Sequence, residues 1–182
     1  MVILMLVISV LFKCIISVLF DTEIRNLELC NLKRVDTRES VIYILGKGNK
    51  ERLVYISPYL KKIMIRYERI RESYLKDNIL HYDNHFLSYR NKQLTIEAIE
   101  RVVRLCGKEA KRSDSIRCSP HTCRHYYAQA QLRKGLDIYS LSRLLGHETV
   151  DIKKRYLQGL KERGVFELSV KTSPLLLINI IC

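Results

Sequence analysis

Residues 1–20 read MVILMLVISVLFKCIISVLF, and only Ser9, Lys13 and Ser17 interrupt their apolar character. Coiled as an α-helix the stretch would be about 30 Å long, enough to cross a bilayer. A chain that opens in this way must hide the segment in lipid or in its own core. Lys13 would be costly at mid-membrane, and the segment has neither the basic n-region nor the small-residue cleavage site of a secretory signal. A buried helix is the reading adopted here, with a membrane anchor as the alternative; solubility of residues 21–182 alone would separate the two. The 182 residues suit one domain with a real core.

Elements able to cover such a helix recur downstream. Ser57-Pro58 reads as a helix start, and Leu60, Ile63, Met64, Tyr67 and Ile70 keep a helical stripe to about Lys76, with the basic residues between them facing outward. Asn78 to Arg90 reads as a loop with a short extended piece, after which Thr95 caps a helix that carries Ile96, Ile99, Val102, Val103 and Cys106 to about Ala110. Val41 to Leu45 and Leu53 to Ile56 are β-branched and apolar, with Gly46-Lys47-Gly48-Asn49-Lys50-Glu51 between them, a hairpin with a basic turn. GKGNK lacks the G-x-x-x-x-G-K-[ST] order and no helix follows it, so it is not a nucleotide-binding P-loop.

The chemistry concentrates in the run from Ser119 to Gln158. Ser119-Pro120 starts a helix, which places His121 and Arg124 on one face near its positive end, a natural seat for a phosphate. That helix is expected to end near Gly135. Asp137 then caps a short helix through Leu145, Gly146 ends it, and His147 follows directly. Thr149 caps another helix, with Tyr156 about two turns in. A phenol ordinarily ionises near pH 10, so a nucleophilic tyrosine needs cationic neighbours or a base, and Arg124 with the two histidines supplies both. Cys118, His121, Cys123 and His125 match no common zinc spacing, and no metal site is assigned.

SPHTCRH, then LLGH, then Tyr156 nine residues beyond His147, resembles the tyrosine recombinase (phage integrase) family, over roughly Cys14 to Ser173. Asp21-Thr22-Glu23-Ile24-Arg25-Asn26-Leu27-Glu28 is similar to the family's first arginine box, T-G-x-R followed by an acidic residue three places on. Glu23 stands where the family has glycine, and a positive φ at that point would suit glutamate poorly. Taken without the resemblance, Arg25 reads better as a helix-surface arginine paired with Glu28 than as a functional residue. GKGNKER resembles the family's hairpin, with Lys47 in the catalytic position and Lys50 and Arg52 as phosphate contacts.

The resemblance implies a mainly α-helical domain with a small antiparallel β-sheet (α+β), spanning residues 14–173. It leaves an apolar segment of unassigned role at 1–13 and an apolar tail at 174–182 that could dock on a neighbouring subunit. It implies DNA strand cleavage and rejoining, with Arg25, Lys47, His121, Arg124, His147 and Tyr156 as the catalytic set, Glu28 in support and no cofactor. Double-stranded DNA is the implied partner, with self-association on it as a tetrameric synapse and no small-molecule substrate. The competing expectation is a catalytically impaired DNA-binding remnant, since the helical domain that family members carry before the catalytic one has no counterpart in this sequence.

Charge agrees with a polyanionic partner: 32 Lys and Arg against 19 Asp and Glu give a net charge of +13 and a pI near 9.6. Lys111 and Arg112 lie in a basic stretch from Lys108 to Arg117 that can track a phosphate backbone or serve as a plain soluble linker. The six cysteines form no C-x-x-C pair and no regular framework, which suits reduced thiols in a cytosol; the family resemblance implies a prokaryotic or phage-derived setting.

Overall fold

The computed structural model describes residues 2–38, 40–45, 51–76, 82–111 and 116–144. The helices expected beyond Leu145, the turn of the hairpin and the apolar tail lie outside them. The chain divides into two compact units, 1–124 and 125–182, with the division inside one helix.

The apolar N-terminus is a single helix, α1 (Val2–Asp21). Its buried residues Val7, Val10, Leu11, Cys14, Ile15, Val18 and Leu19 repeat at three and four, the spacing of one helix face. That stripe packs on α3 (Pro58–Leu75) and α4 (Ile96–Glu109), while Lys13 lies on the exposed side. By length and composition alone Ile3–Asp21 could span a membrane, with a mean hydropathy of 2.8, and Ile3 and Met5 are each 68% exposed. The packed face nonetheless makes α1 the spine of the core, and that core reaches back to Val10, ahead of the Cys14 boundary expected from sequence.

The starts of the helices follow cap chemistry. Ser57 Oγ accepts the Leu60 N–H at 3.1 Å to begin α3, and Thr95 Oγ1 accepts the Ala98 N–H at 3.2 Å to begin α4. Between α1 and the sheet lie a short helix, α2 (Asn26–Asn31), and a 3₁₀ turn (Arg34–Asp36). The sheet is antiparallel in the order β1 (Thr37–Arg38), β2 (Val41–Leu45), β3 (Glu51–Tyr55). Ile42 stands opposite Val54 and Ile44 opposite Arg52, so these four side chains share the inner face. β3 thus begins at Glu51, two residues before the run of apolar character that marks it in the sequence, and Arg52 is an inward position.

Between the stripe positions of α3, Lys62, Arg66 and Arg69 face solvent as expected. Just beyond the stripe Arg71 is buried, its Nη2 donating to the Asn84 carbonyl at 3.1 Å. The segment it supports is the loop and extended piece before Thr95, where His85, Phe86 and Leu87 are buried and two isolated bridges, Lys33 to Asn84 and Leu87 to Gln93, hold the chain. Burial, helped by the charges of Arg71 and Arg34, lowers His85 to about 3, so it is a neutral core histidine.

In the first unit, α4 fixes the approach to α5 (Pro120–Arg133) through a glycine. A Cβ on Gly107 would lie 2.4 Å from Cys118 Sγ, so only glycine admits that contact. In the second unit, Gly135 has φ 95°, the Leu136 N–H reaches the Gln131 carbonyl at 3.0 Å and the Gly135 N–H reaches Leu132 at 3.0 Å. This Schellman arrangement ends α5 where the sequence places the end. Leu136 packs with Ile138 on a small cluster of Ala128, Leu132 and Leu141. Asp137 Oδ1 accepts the Tyr139 and Ser140 N–H groups at 2.9 Å, capping α6 (Ile138–Leu144) as expected.

Candidate active site

The N-terminus of α5 carries the first two predicted residues. Ser119 Oγ accepts the Thr122 N–H at 3.2 Å, and Thr122 Oγ1 in turn donates to the Arg117 carbonyl at 2.9 Å, which ties the preceding loop to the first turn. His121 is then left exposed and Arg124 is turned inward, its side chain 8% exposed. The third residue, Arg25, is the N-cap of α2 and stands in extended backbone. Glu28, at the third helical position, accepts the Arg25 N–H at 2.8 Å and its guanidinium at 2.9 Å. Arg25 is therefore paired with Glu28, and it also lines a cleft. Arg25, His121 and Arg124 line that cleft together, with Asn26, Glu100, Arg117 and Thr122, around a volume of about 440 Å³.

Behind the cleft the two arginines are joined by alternating charges. Arg124 Nη1 lies 3.1 Å from Glu23 Oε2 and also donates to the Glu23 main-chain carbonyl. Glu23 Oε1 accepts Arg52 Nε at 2.9 Å, and Arg52 grips both oxygens of Glu28 at 2.8 Å through its two terminal nitrogens. Glu28 closes the chain on Arg25. The order is Arg124, Glu23, Arg52, Glu28, Arg25: three cations held apart by two anions. A bidentate guanidinium fork and charge-assisted bonds are the strong forms of such contacts.

The two carboxylates respond in opposite senses. Burial pushes Glu23 up, and the nearby charges of Arg124 and Arg52 offset only part of that rise. Burial also acts to raise Glu28, but hydrogen bonds from Arg52 and from the Arg25 backbone outweigh it and hold Glu28 at about 2. Arg52 is raised: burial would lower it, and its bonds to Glu28 and Glu23 prevail.

Sequence reasoning expected Arg52 to meet phosphate directly. The structure instead commits its guanidinium to Glu23 and Glu28, with the side chain 14% exposed, because the strand register turns it inward. Glu23 was singled out only as a departure from glycine. It is a buried member of the site, and its backbone is ordinary: among described residues other than glycine only Asn91 and Lys111 have positive φ. Lys111 is exposed at the end of α4. Lys47, Lys50, Arg112, His147 and Tyr156 lie outside the described residues. Among the described residues no His, Cys, Asp and Glu side chains gather as a metal site, and burial raises the Cys123 thiol to about 11.

A family model, the phage integrase family, matches residues 7–163. The chain belongs to the phage integrase family. A tyrosine recombinase XerC of Anoxybacillus flavithermus is 31% identical over 153 residues, covering 82% of this chain and 50% of that protein. A XerC of Thermodesulfovibrio yellowstonii is 29% identical over 167 residues, covering 90% of this chain and 54% of its own length. The chain thus spans about half the length of the curated relatives it matches. The crystal structure of XerA recombinase superposes with a TM-score of 0.78 at 32% identity, over 94% of this chain and 62% of that one. XerH recombinase bound to a palindromic difH substrate shares the fold, with a TM-score of 0.71 at 23% identity over 88% of this chain and 45% of that one. The phage integrase assignment agrees with the architecture observed, mainly helical with one small antiparallel sheet.

Proposed function

We propose that this chain is the catalytic domain of a site-specific DNA recombinase that cuts and rejoins strands through a 3′-phosphotyrosine intermediate. The observation that carries the reading is the cleft that Arg25, His121 and Arg124 line together, a cationic seat assembled from two distant parts of the chain. Recombinases similar in fold have been crystallised on DNA, XerH among them.

The Tyr156 phenol oxygen attacks the scissile phosphorus as the bond to the 5′-oxygen breaks. The phenol proton passes to His121, and the Lys47 ammonium protonates the departing 5′-oxygen. Arg25 and Arg124 hold the two non-bridging oxygens, where charge builds in the transition state, and His147 donates a further hydrogen bond. The products are a 3′-phosphotyrosyl link and a free 5′-hydroxyl. Attack by a 5′-hydroxyl on that link reverses the step and reseals a strand, so the linkage conserves the bond energy and the reaction needs no cofactor. Double-stranded DNA is the partner, several copies assemble on it as a synapse, tetrameric by the family pattern, and the setting is cytoplasmic. Glu28 supports Arg25, while Lys50, Lys111 and Arg112 contact the phosphate backbone.

The test is covalent trapping on nicked suicide duplexes with a randomised core. The unaltered chain is expected to form an SDS-resistant adduct, and Tyr156→Phe to form none while binding DNA as before. An adduct from the phenylalanine variant would overturn the tyrosine assignment. Binding without an adduct in the unaltered chain would favour the DNA-binding remnant.

A further inference from the structure

Glu23 is the member of the charge chain that the family's arginine box does not supply, since glycine holds that place in the pattern. It is 2% exposed and sits directly behind the cleft, against Arg124. Two roles fit a carboxylate in that position, and the geometry separates them. If Glu23 oriented Arg124, its carboxylate would make the directed bond. Instead Arg124 Nη1 donates to the main-chain carbonyl of Glu23, which any residue at this position would offer. Oε2 is 3.1 Å from the same nitrogen, yet it accepts no hydrogen bond from any described residue. The carboxylate thus acts on Arg124 through charge, while the directed bond between the two residues runs to the Glu23 backbone.

Arg52 leads to the same conclusion. Its Nε bonds to Glu23 Oε1, but both terminal nitrogens are gripped by Glu28, which would hold the guanidinium without Glu23. With both carboxylates ionised the five groups sum to +1. With glycine at 23 the same groups would sum to +2, and the two further charged residues that line the cleft, Arg117 and Glu100, offset each other in either case.

We propose that Glu23 is an internal counter-anion that weakens the hold of the Arg25, His121 and Arg124 cleft on phosphate. This rests on the reading of the cleft as a phosphodiester seat. For a reaction in which each phosphodiester must leave the cleft after strand transfer, a weaker grip favours release over prolonged occupancy.

Inorganic phosphate is the probe, titrated into the full chain at constant ionic strength and followed by NMR on the His121 ring. Glu23→Gln keeps the shape and removes the charge, and it is expected to tighten phosphate binding roughly tenfold, the scale of one unit charge removed near a partly solvated site. Arg124→Ala should remove the response in either background. Unchanged or weaker binding in Glu23→Gln overturns the proposal, as does a response that survives Arg124→Ala or an absence of response throughout. If Glu23→Gln does not fold by circular dichroism, Glu23→Gly takes its place. Failure of both to fold means that the carboxylate serves the fold, and the proposal falls. Tighter phosphate binding in a chain that forms no covalent adduct leaves the proposal standing and removes only the recombination reading; an adduct with unchanged phosphate binding does the reverse.

Discussion

Residues 1–124 enclose arginines in two places and give them different kinds of partner. Arg71, on α3, gives a hydrogen bond to the Asn84 carbonyl beside the neutral ring of His85, and burial lowers its pKa. Arg52 and Arg124 meet carboxylates instead, and Arg52 is raised. A carbonyl partner makes Arg71 a staple that holds a loop to a helix. Carboxylate partners link one group to the next in a row that ends at the cleft lined by Arg25 and Arg124. Burial of an arginine alone therefore says little about role; its partner and the direction the chain of charges leads say more.

The largest expected effect concerns the cleft. Arg124→Ala should slow single-turnover adduct formation by about a hundredfold or more, the usual loss when one preorganised donor to a developing oxyanion is removed. Arg71→Met should instead lower stability by about 1–3 kcal/mol, read from urea unfolding, because it leaves the buried Asn84 carbonyl unsatisfied. Its rate of adduct formation, measured where the variant is folded, should stay within about threefold of the unaltered chain, since surface-distant staples act through folding. A rate loss in Arg71→Met comparable with that in Arg124→Ala would erase the distinction.

The smallest effect is in pH dependence, and its sign follows from the two carboxylates. Glu28 is held at about 2 in the folded chain against an ordinary 4.5, so the stability it lends is present above 4.5 and is lost as pH falls toward 2. Glu23 is raised, so its contribution is present below 4.5 and is lost as pH rises through its folded value. Compared with the unaltered chain, the change in urea midpoint from pH 6 to 2 should therefore be shifted upward in Glu28→Gln and downward in Glu23→Gln. Parallel curves for the two variants would show that the carboxylates are equivalent after all.

What could be read in advance follows the range of each interaction. The caps at Ser57, Thr95, Ser119 and Asp137 act within three residues, so the sequence locates those helices closely. The burial of α1 is legible from its apolar run alone, while the face it buries is not, and the core reaches back to Val10, ahead of a domain boundary at Cys14. The inward turn of Arg52 was legible in principle: Val54 points to the core, and a strand repeats every two residues. It was missed because a basic turn next to a strand looks like an outward phosphate contact. Glu23 meets Arg124 across 101 residues, and nothing local in either segment announces that pairing. The burial of Arg71 has the same origin, an Asn84 carbonyl delivered by tertiary packing.

The pairing of Ile44 with Arg52 sets a limit on how this hairpin can change length. A slip of one residue would bring Glu51 or Leu53 to the inner face and carry Arg52 to the outside. Glu23 and Glu28 would then confront each other with no cation between them, and the two ends of the charge chain would lose their link. Apolar residues alone could tolerate a neighbouring register, since Leu53 would bury as readily as Val54. The ion pairs make the difference: they act as a key cut for one alignment, so that an insertion or deletion in this ladder is rejected first by electrostatics and only second by loss of hydrophobic contact.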